Sequence, residues 1–400
     1  MGTVLLKNYC QQAVCGSTRA SVMTGLHPDF TRFWDLKTKM RDVNPDVLTL
    51  AQYLIWEGYT TSGINKIYHP SCVDKKSDEV FWSIPFLKPK ATDYAKELGE
   101  PAFRNYQSVS MKIQANGDVS KSKANKIKDD GENVKGKPGP ATECLDLTDD
   151  AYEDGVSSKI AKHQIIDLTK SGKPYFMADG FHKPHLSFVA PKKYWDMYKR
   201  EDMPLAPFQE HAKNEVFIAY EPSGELRNYS DMPEFTTFTK EELKAGLKPE
   251  KQKELLHGYY ASISYVDAQV GVLLNTLDSL GTLNNTIVIL WGDHGWHLDN
   301  HDLCGKHTNF EQASSSYCFI SAPNLKSGKT SSLSEHVYIF LSICEFSGLK
   351  IPRVLQYKSS KPLMQNNTAK VISYAMSQYY YKLKSIELKS LDYIIGNLMG

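Results

Sequence analysis

The sequence predicts an α/β protein built on a largely parallel sheet, and three observations predict it. Helical patterns are followed by apolar β-runs: residues 49–57 by 59–64, residues 156–169 by 174–178, and a long periodic stretch ending at Leu277 by 286–291. A polar cluster sits just past the carboxyl end of each run, where open α/β sheets place their ligand sites. The length of 400 residues and a hydrophobic content of 41% suit one large or two modest domains with a sizeable core.

The elements follow in order. Gln11-Gln-Ala-Val-Cys15-Gly-Ser-Thr-Arg19 is a short apolar lead into small, hydroxylated residues that open a helix. Thr49-Leu-Ala-Gln-Tyr-Leu-Ile-Trp-Glu57 is an amphipathic helix stopped by Gly58. The strand after it delivers Asn65-Lys66-Ile67-Tyr68-His69-Pro70. The helix over 156–169 leads through Ser171-Gly172 into Pro174-Tyr-Phe-Met-Ala178, a buried strand that ends in Phe181-His182-Lys183-Pro184-His185. Leu256, Tyr259, Ile263, Val266, Val270, Leu273, Leu274 and Leu277 recur at helical spacing, and Gly281 closes that longest helix. Thr286-Ile-Val-Ile-Leu-Trp291 is the clearest β-run and empties into Gly292-Asp293-His294-Gly295-Trp296. Residues 107–143, rich in Lys, Asp, Asn and Gly, are expected to be a surface insertion. Weaker strands are expected at 371–375 and 386–395.

Lys plus Arg is 47 and Asp plus Glu is 46, so the net charge is 47 − 46 = +1, which excludes a general nucleic-acid-binding surface. No apolar run approaches the ~18 residues of a membrane span, and the apolar stretch in residues 1–7 is too short for the core of a signal peptide. The seven cysteines (Cys10, Cys15, Cys72, Cys144, Cys304, Cys318, Cys344) contain no C-x-x-C pair, so a zinc ribbon is out. Free, mostly buried thiols are the expectation; if Cys15 has a separate fate, the other six leave room for three bridges. N-x-[ST] triplets at Asn228, Asn284 and Asn366 occur at a frequency that chance supplies.

Cys15-Gly-Ser17-Thr-Arg19 followed by Thr24-Gly25 resembles the C-x-[PAS]-x-R…TG signature of the sulfatase family. Asn65-Lys66-x-x-His69-Pro70, His182-Lys183-Pro184-His185, Asp293-His294-Gly295-Trp296 and Lys306-His-Thr-Asn309-Phe310 continue the likeness in sequence order, and resemble iduronate-2-sulfatase-type members in particular. Five clusters in order are far more specific than one. The resemblance implies an alkaline-phosphatase-like sandwich, a mixed, mostly parallel sheet with helices on both faces. It divides the chain into a catalytic domain over 1–378 and a remnant of a small C-terminal subdomain over 379–400.

It also implies the chemistry. Cys15 is expected to become formylglycine, made by a formylglycine-generating enzyme, and its aldehyde hydrate to attack a sulfate monoester on a carbohydrate such as a 2-O-sulfated uronic acid. A helix start suits an anion, through its free N–H groups and dipole. Arg19, one turn on, steadies the hydrate. Lys66 and Lys306 bind sulfate oxygens, and His69 assists sulfate elimination. His182 is expected to act as general acid on the leaving oxygen, its ordinary pKa lying near neutrality, and Trp296 either to stack on a sugar face or to pack in the core. Asp293 and His294, with residue 15, resemble part of a calcium site.

The sequence also departs from the family pattern. The resemblance assigns two more aspartate ligands to a first strand, but no Asp-Asp pair precedes Cys15 and the first acidic residue is Asp29. The expectation is a chain incomplete at its N terminus, binding calcium weakly and hydrolysing sulfate esters poorly. Ser17 replaces the commoner proline; Asp302-Leu303-Cys304-Gly305 stands where relatives keep a glycine and an aromatic; Ser314-Ser-Ser-Tyr-Cys318 replaces a more apolar stretch. The rivals are a non-catalytic relative and a phosphomonoesterase or phosphonate hydrolase of the same superfamily. A secretory-pathway location is the expected compartment.

Overall fold

Strand β1 (Thr3–Tyr9) is the hub of a four-stranded sheet ordered β6-β7-β1-β8. It runs parallel to β8 (Gly328–Glu335) and antiparallel to β7 (Cys318–Ser321), which pairs antiparallel with β6 (Val288–Trp291). Leu5, Cys318 and Ile320 point to the face covered by α1 (Cys15–Thr24) and α5 (Tyr338–Phe346), where they pack with Val22 and Ile339. A computed structural model describes the chain except residues 1, 75–77, 79–80, 97, 103–104, 116–138, 212, 214–222, 233–245, 356, 383–391 and 400.

A second ladder joins β2 (Thr60–Asn65) in parallel to β4 (Tyr175–Gly180). Their register, Thr60 opposite Tyr175 and Asn65 opposite Gly180, makes both strands end level. Helices cover both faces. Phe176 and Ala178 pack with Met23 of α1 and Leu54 of α2 (Leu50–Trp56), while Asp179 accepts the Ser157 hydroxyl of α3 (Glu153–Lys170) at 2.7 Å. β3 (Thr142–Leu145) runs parallel to β5 (Phe188–Pro191), and α4 (Pro249–Ser279), opened by proline at its first turn, packs on α3 and β5. β9 (Ala375–Lys382) and β10 (Asp392–Met399) form an antiparallel hairpin.

The fold class expected from the sequence stands: a mixed α/β architecture, with three parallel and three antiparallel ladders among the described residues. Four details differ. The strand expected to be buried, β4, is mostly half-buried, because among the described residues it is paired on one side only. The strand expected at 371–375 begins instead at Ala375, and β9 runs straight across the expected 378/379 boundary. Most of the insertion expected at 107–143 lies outside the described residues. Its flanks are surface only in part: Val109 and Ile113 are exposed, but buried Gln107 and half-buried Ser108 donate backbone N–H groups to the buried Glu143 carboxylate. All seven cysteines are free, only Cys144 being exposed. No helix among the described residues is long and apolar enough to cross a membrane.

The level ends of β2 and β4 depend on one close approach. Lys66 N–H donates to the Gly180 carbonyl at 3.0 Å, and a Cβ on Gly180 would lie 2.0 Å from the Lys66 carbonyl oxygen. Gly180→Ala should therefore cost about 1–3 kcal/mol of stability by forcing the strand ends apart. Urea denaturation checks it, and an unchanged midpoint would show that the contact does not constrain the ladder.

Candidate active site

Cys15 is the first residue of α1, after Val14 in an extended conformation (φ −139°, ψ 123°) that offers no side-chain cap. The opening N–H groups of the helix are thus left for a ligand. Gly25 ends the helix in the left-handed region (φ 67°), its N–H returning to the Ser21 carbonyl. The Cys15 Sγ lies 3.2 Å from His294 Nε2, and His294 Nδ1 lies 2.8 Å from the Gly295 carbonyl, so Nδ1 carries a proton. Ligand atoms of Cys15, Asp293 and His294 lie within 4.8 Å of one another.

Arg19, one turn along α1, donates through Nε to Asp293 Oδ2 at 2.9 Å and through Nη1 to the Lys66 carbonyl, and its guanidinium lies 5.6 Å from the Trp291 ring centre. Lys66 is buried, and its ammonium meets no hydrogen-bond partner among the described residues. His69 Nδ1 faces Ser71 Oγ at 2.8 Å. On the loop after β4, His182 and Lys183 donate their backbone N–H groups to the two oxygens of buried Asp154, at 2.7 and 2.8 Å, while His182 Nε2 sits 3.6 Å from Glu153. Glu225 bridges His185 Nε2 (3.0 Å) and Lys306 Nζ (2.9 Å).

Burial raises the Cys15 thiol and Asp293 adds to that, but Lys306, His294 and Lys66 together outweigh them and draw it down to about 7. Burial also works against the Asp293 carboxylate, yet Arg19 and His294 hold it well below the usual range. His294 is raised: burial opposes its charge, and Asp293 and Cys15 overcome it. Burial depresses Lys66, which has no compensating carboxylate in contact. Arg19 and Lys306 are each paired with a carboxylate, Asp293 and Glu225, which leaves Lys66 as the cation able to meet an anion directly, while Glu153 and Asp154 lie at the His182 loop.

The six residues expected to be catalytic, Cys15, Arg19, Lys66, His69, His182 and Lys306, converge with Asp293 and His294 on one edge of the strands. One expectation changes. His182 does not keep an ordinary histidine pKa: burial, Lys66 and Lys183 push it well below. Trp296 packs edge-on against Phe188 (6.4 Å) beneath the Lys306 ammonium (5.2 Å), a placement that favours packing over sugar stacking. The sequence reading missed Glu153, Asp154 and Glu225. The first two look like ordinary acids of a helix start, and Glu225 lies where no periodicity marks a segment.

The donor set does not by itself fit calcium. That ion takes roughly six to eight oxygen ligands. Cys15, Asp293 and His294 offer one sulfur, one carboxylate and one imidazole, and the carboxylate is already paired with Arg19. No chemical step is therefore assigned to a metal below.

Asp179, just before the His182 loop, is half-buried with Ser157 as partner, and the desolvation of its carboxyl raises it to about 7 from 3.8. The folded chain then keeps a proton that the unfolded chain releases near 3.8, so stability falls as pH rises from 3.8 to about 7. Asp179→Asn should be a few kcal/mol more stable than wild type at pH 8 and no more stable near pH 3, measured by urea denaturation; a pH-independent difference would remove the buried-carboxyl explanation.

The family model for sulfatases matches residues 1–349. The chain is 30% identical to mouse (Mus musculus) iduronate 2-sulfatase over 315 residues, covering 78% of this chain and 51% of that protein. It is 29% identical to the human (Homo sapiens) iduronate 2-sulfatase over 347 residues, covering 83% and 55%. The chain thus spans about half the length of these relatives. Among solved structures, one bound to its substrate D-glucosamine-2-N,6-O-disulfate superposes with a TM-score of 0.64 at 18% identity, covering 96% of this chain and 77% of that one. The phosphonate monoester hydrolase of Agrobacterium radiobacter superposes with a TM-score of 0.66 at 17% identity, covering 96% and 74%.

Proposed function

Because this chain belongs to the sulfatase family, we propose that its site hydrolyses a sulfate monoester on a sulfated glycan, a 2-O-sulfated uronic acid being the substrate class that the iduronate 2-sulfatase likeness favours. The observation that carries the reading is Cys15 at the head of a helix, with the His294 imidazole 3.2 Å from its Sγ and the buried lysines Lys66 and Lys306 beside it.

In this reading Cys15 is first converted to formylglycine by a generating enzyme of the secretory route, where the protein would be made. The Sγ position then stands for a hydroxyl of the aldehyde hydrate. That hydroxyl oxygen attacks sulfur, the S–O bond to the sugar breaks, and the sugar oxygen leaves with a proton. The second hydroxyl then loses its proton, the carbonyl re-forms, and sulfate departs; water restores the hydrate. Lys66 and Lys306 offset charge on the sulfate oxygens. His69, pushed down to about 4 mainly by burial, is a neutral acceptor at pH 7 suited to the second deprotonation. His182 faces the leaving oxygen. An arriving sulfate monoanion opposes the cations that depress it and raises its proton affinity, which is how it could become the donor.

Calcium is the ion that the resemblance implies, and it would need oxygen ligands beyond the three donors gathered here. The rival reading, a phosphoester or phosphonate substrate, shares the fold, and the substrate preference tested below separates it from the sulfate reading.

Co-expression with a formylglycine-generating enzyme should convert Cys15, seen by mass spectrometry of its peptide. The converted protein should prefer aryl sulfates to aryl phosphates, and Cys15→Ala should lower that turnover at least about 10³-fold without unfolding the chain. A thiol left intact at full occupancy, or turnover that survives Cys15→Ala, sinks the reading.

A further inference from the structure

Glu225 touches two site loops at once, pairing with His185 and with Lys306, and the motifs leave it without a task. It lies in a short helical turn, Gly224–Arg227, entered through Ser223 in the left-handed region (φ 53°). That entry is fixed: Ser223 Oγ accepts the Cys304 N–H at 2.9 Å, two residues before Lys306. Leu226 and Tyr229 beyond it are buried with Phe188 and Cys304. The turn is therefore anchored independently of the carboxylate it presents.

We propose that Glu225 is a positioning residue, clamping the Lys306 ammonium with one oxygen and the His185 imidazole with the other so that the lysine meets a substrate oxyanion in a single fixed pose. Lys306 is held from two sides, by Glu225 at 2.9 Å and by the Trp296 face at 5.2 Å. An ammonium has three N–H donors, and the clamp uses one of them. The contrast is Lys66, equally buried in the same site, whose ammonium has no such partner among the described residues and whose proton is less firmly held. Two lysines of one site thus differ by one carboxylate. A flexible four-carbon stem loses pose readily, and a misplaced oxyanion contact is costly to catalysis. Because Glu225 does not itself face the reacting atoms in this arrangement, its effect must pass through Lys306.

The kinetic test rests on the sulfate-ester reading; a labelling test does not. Glu225→Gln in the full chain should lower kcat on an aryl sulfate about tenfold per folded molecule, with KM changed less than about twofold. In a Lys306→Met background the same substitution should cost nothing further, because both act through one group. Losses that multiply, or an unchanged kcat, overturn the proposal. Independently, acetic anhydride labelling read by peptide mass spectrometry should rise about fivefold or more at Lys306 in Glu225→Gln, relative to exposed Lys358. Buried Lys66 and Lys183 should stay protected, which separates release of one lysine from general unfolding. Equal labelling of Lys306 in both proteins, or a rise shared by all three buried lysines, refutes the clamp. If the converted wild-type protein turns over no sulfate ester, the sulfate-ester reading falls, and the labelling result alone decides the role of Glu225.

Discussion

The Arg19 guanidinium holds three separate pieces of backbone in one place. Its Nε binds Asp293 on the loop after β6, its Nη1 binds the Lys66 carbonyl after β2, and its own backbone belongs to α1. Cys15 lies four residues earlier on that helix and takes its position from the same anchor. The pair with Asp293 is largely buried, at 11% and 16% side-chain exposure. Removing the arginine would leave an uncompensated carboxylate inside the protein, a loss of about 3–5 kcal/mol for pairs of this kind. The ion pair is less a gain in stability than a constraint that fixes where the thiol, the lysine loop and the acidic loop meet.

The other half of the site hangs on backbone chemistry. β2 and β4 end level, so Lys66 and His182 emerge at the same edge. Asp154, at the start of α3, then accepts the two N–H groups that the turn after β4 leaves without strand partners. The loop is thus oriented by a buried carboxylate beneath it, and the histidine ring is free to face the site. Burial, with Lys66, Lys183 and Arg19 around it, pushes that ring well below the usual histidine range.

What could be read in the sequence, and what could not, follows from the range of each signal. Cys15, Lys66, His182 and Asp293 each sit at a helix start or just past an apolar run, a local pattern, and the sheet edge gathers all of them. Glu225 reaches Lys306 across 81 positions of chain, and nothing near Pro222-Ser223-Gly224 announces that contact. Burial misled twice in opposite senses. Tyr175-Phe176-Met177-Ala178 has the composition of a fully covered strand, yet its ladder has one partner and it is half-exposed. The run from Gln107 has the composition of a surface loop, and Val109 and Ile113 are exposed, yet its first two N–H groups are taken inward by the buried Glu143 carboxylate. Residue type reports the average environment of a segment; its hydrogen-bond partners, which lie far away in sequence, decide the actual one. The lowered pKa of His182 is of the same origin, since three of the cations acting on it come from two other parts of the chain and its own loop.

The same charges decide which kind of ion the cluster prefers. A hard cation placed among Cys15, Asp293 and His294 would face Arg19, Lys66 and Lys306, and would have to draw Asp293 away from an arginine 2.9 Å distant. An oxyanion placed there meets the reverse situation. It finds the unpartnered Lys66 ammonium, the remaining Lys306 donors and the free N–H groups opening α1, and it need break no existing ion pair. The histidine at 3.2 Å from the thiol is itself raised toward its charged form, which adds to the attraction. Among the residues described, the arrangement is therefore more complementary to an oxyanion than to a cation held by Cys15, Asp293 and His294 alone.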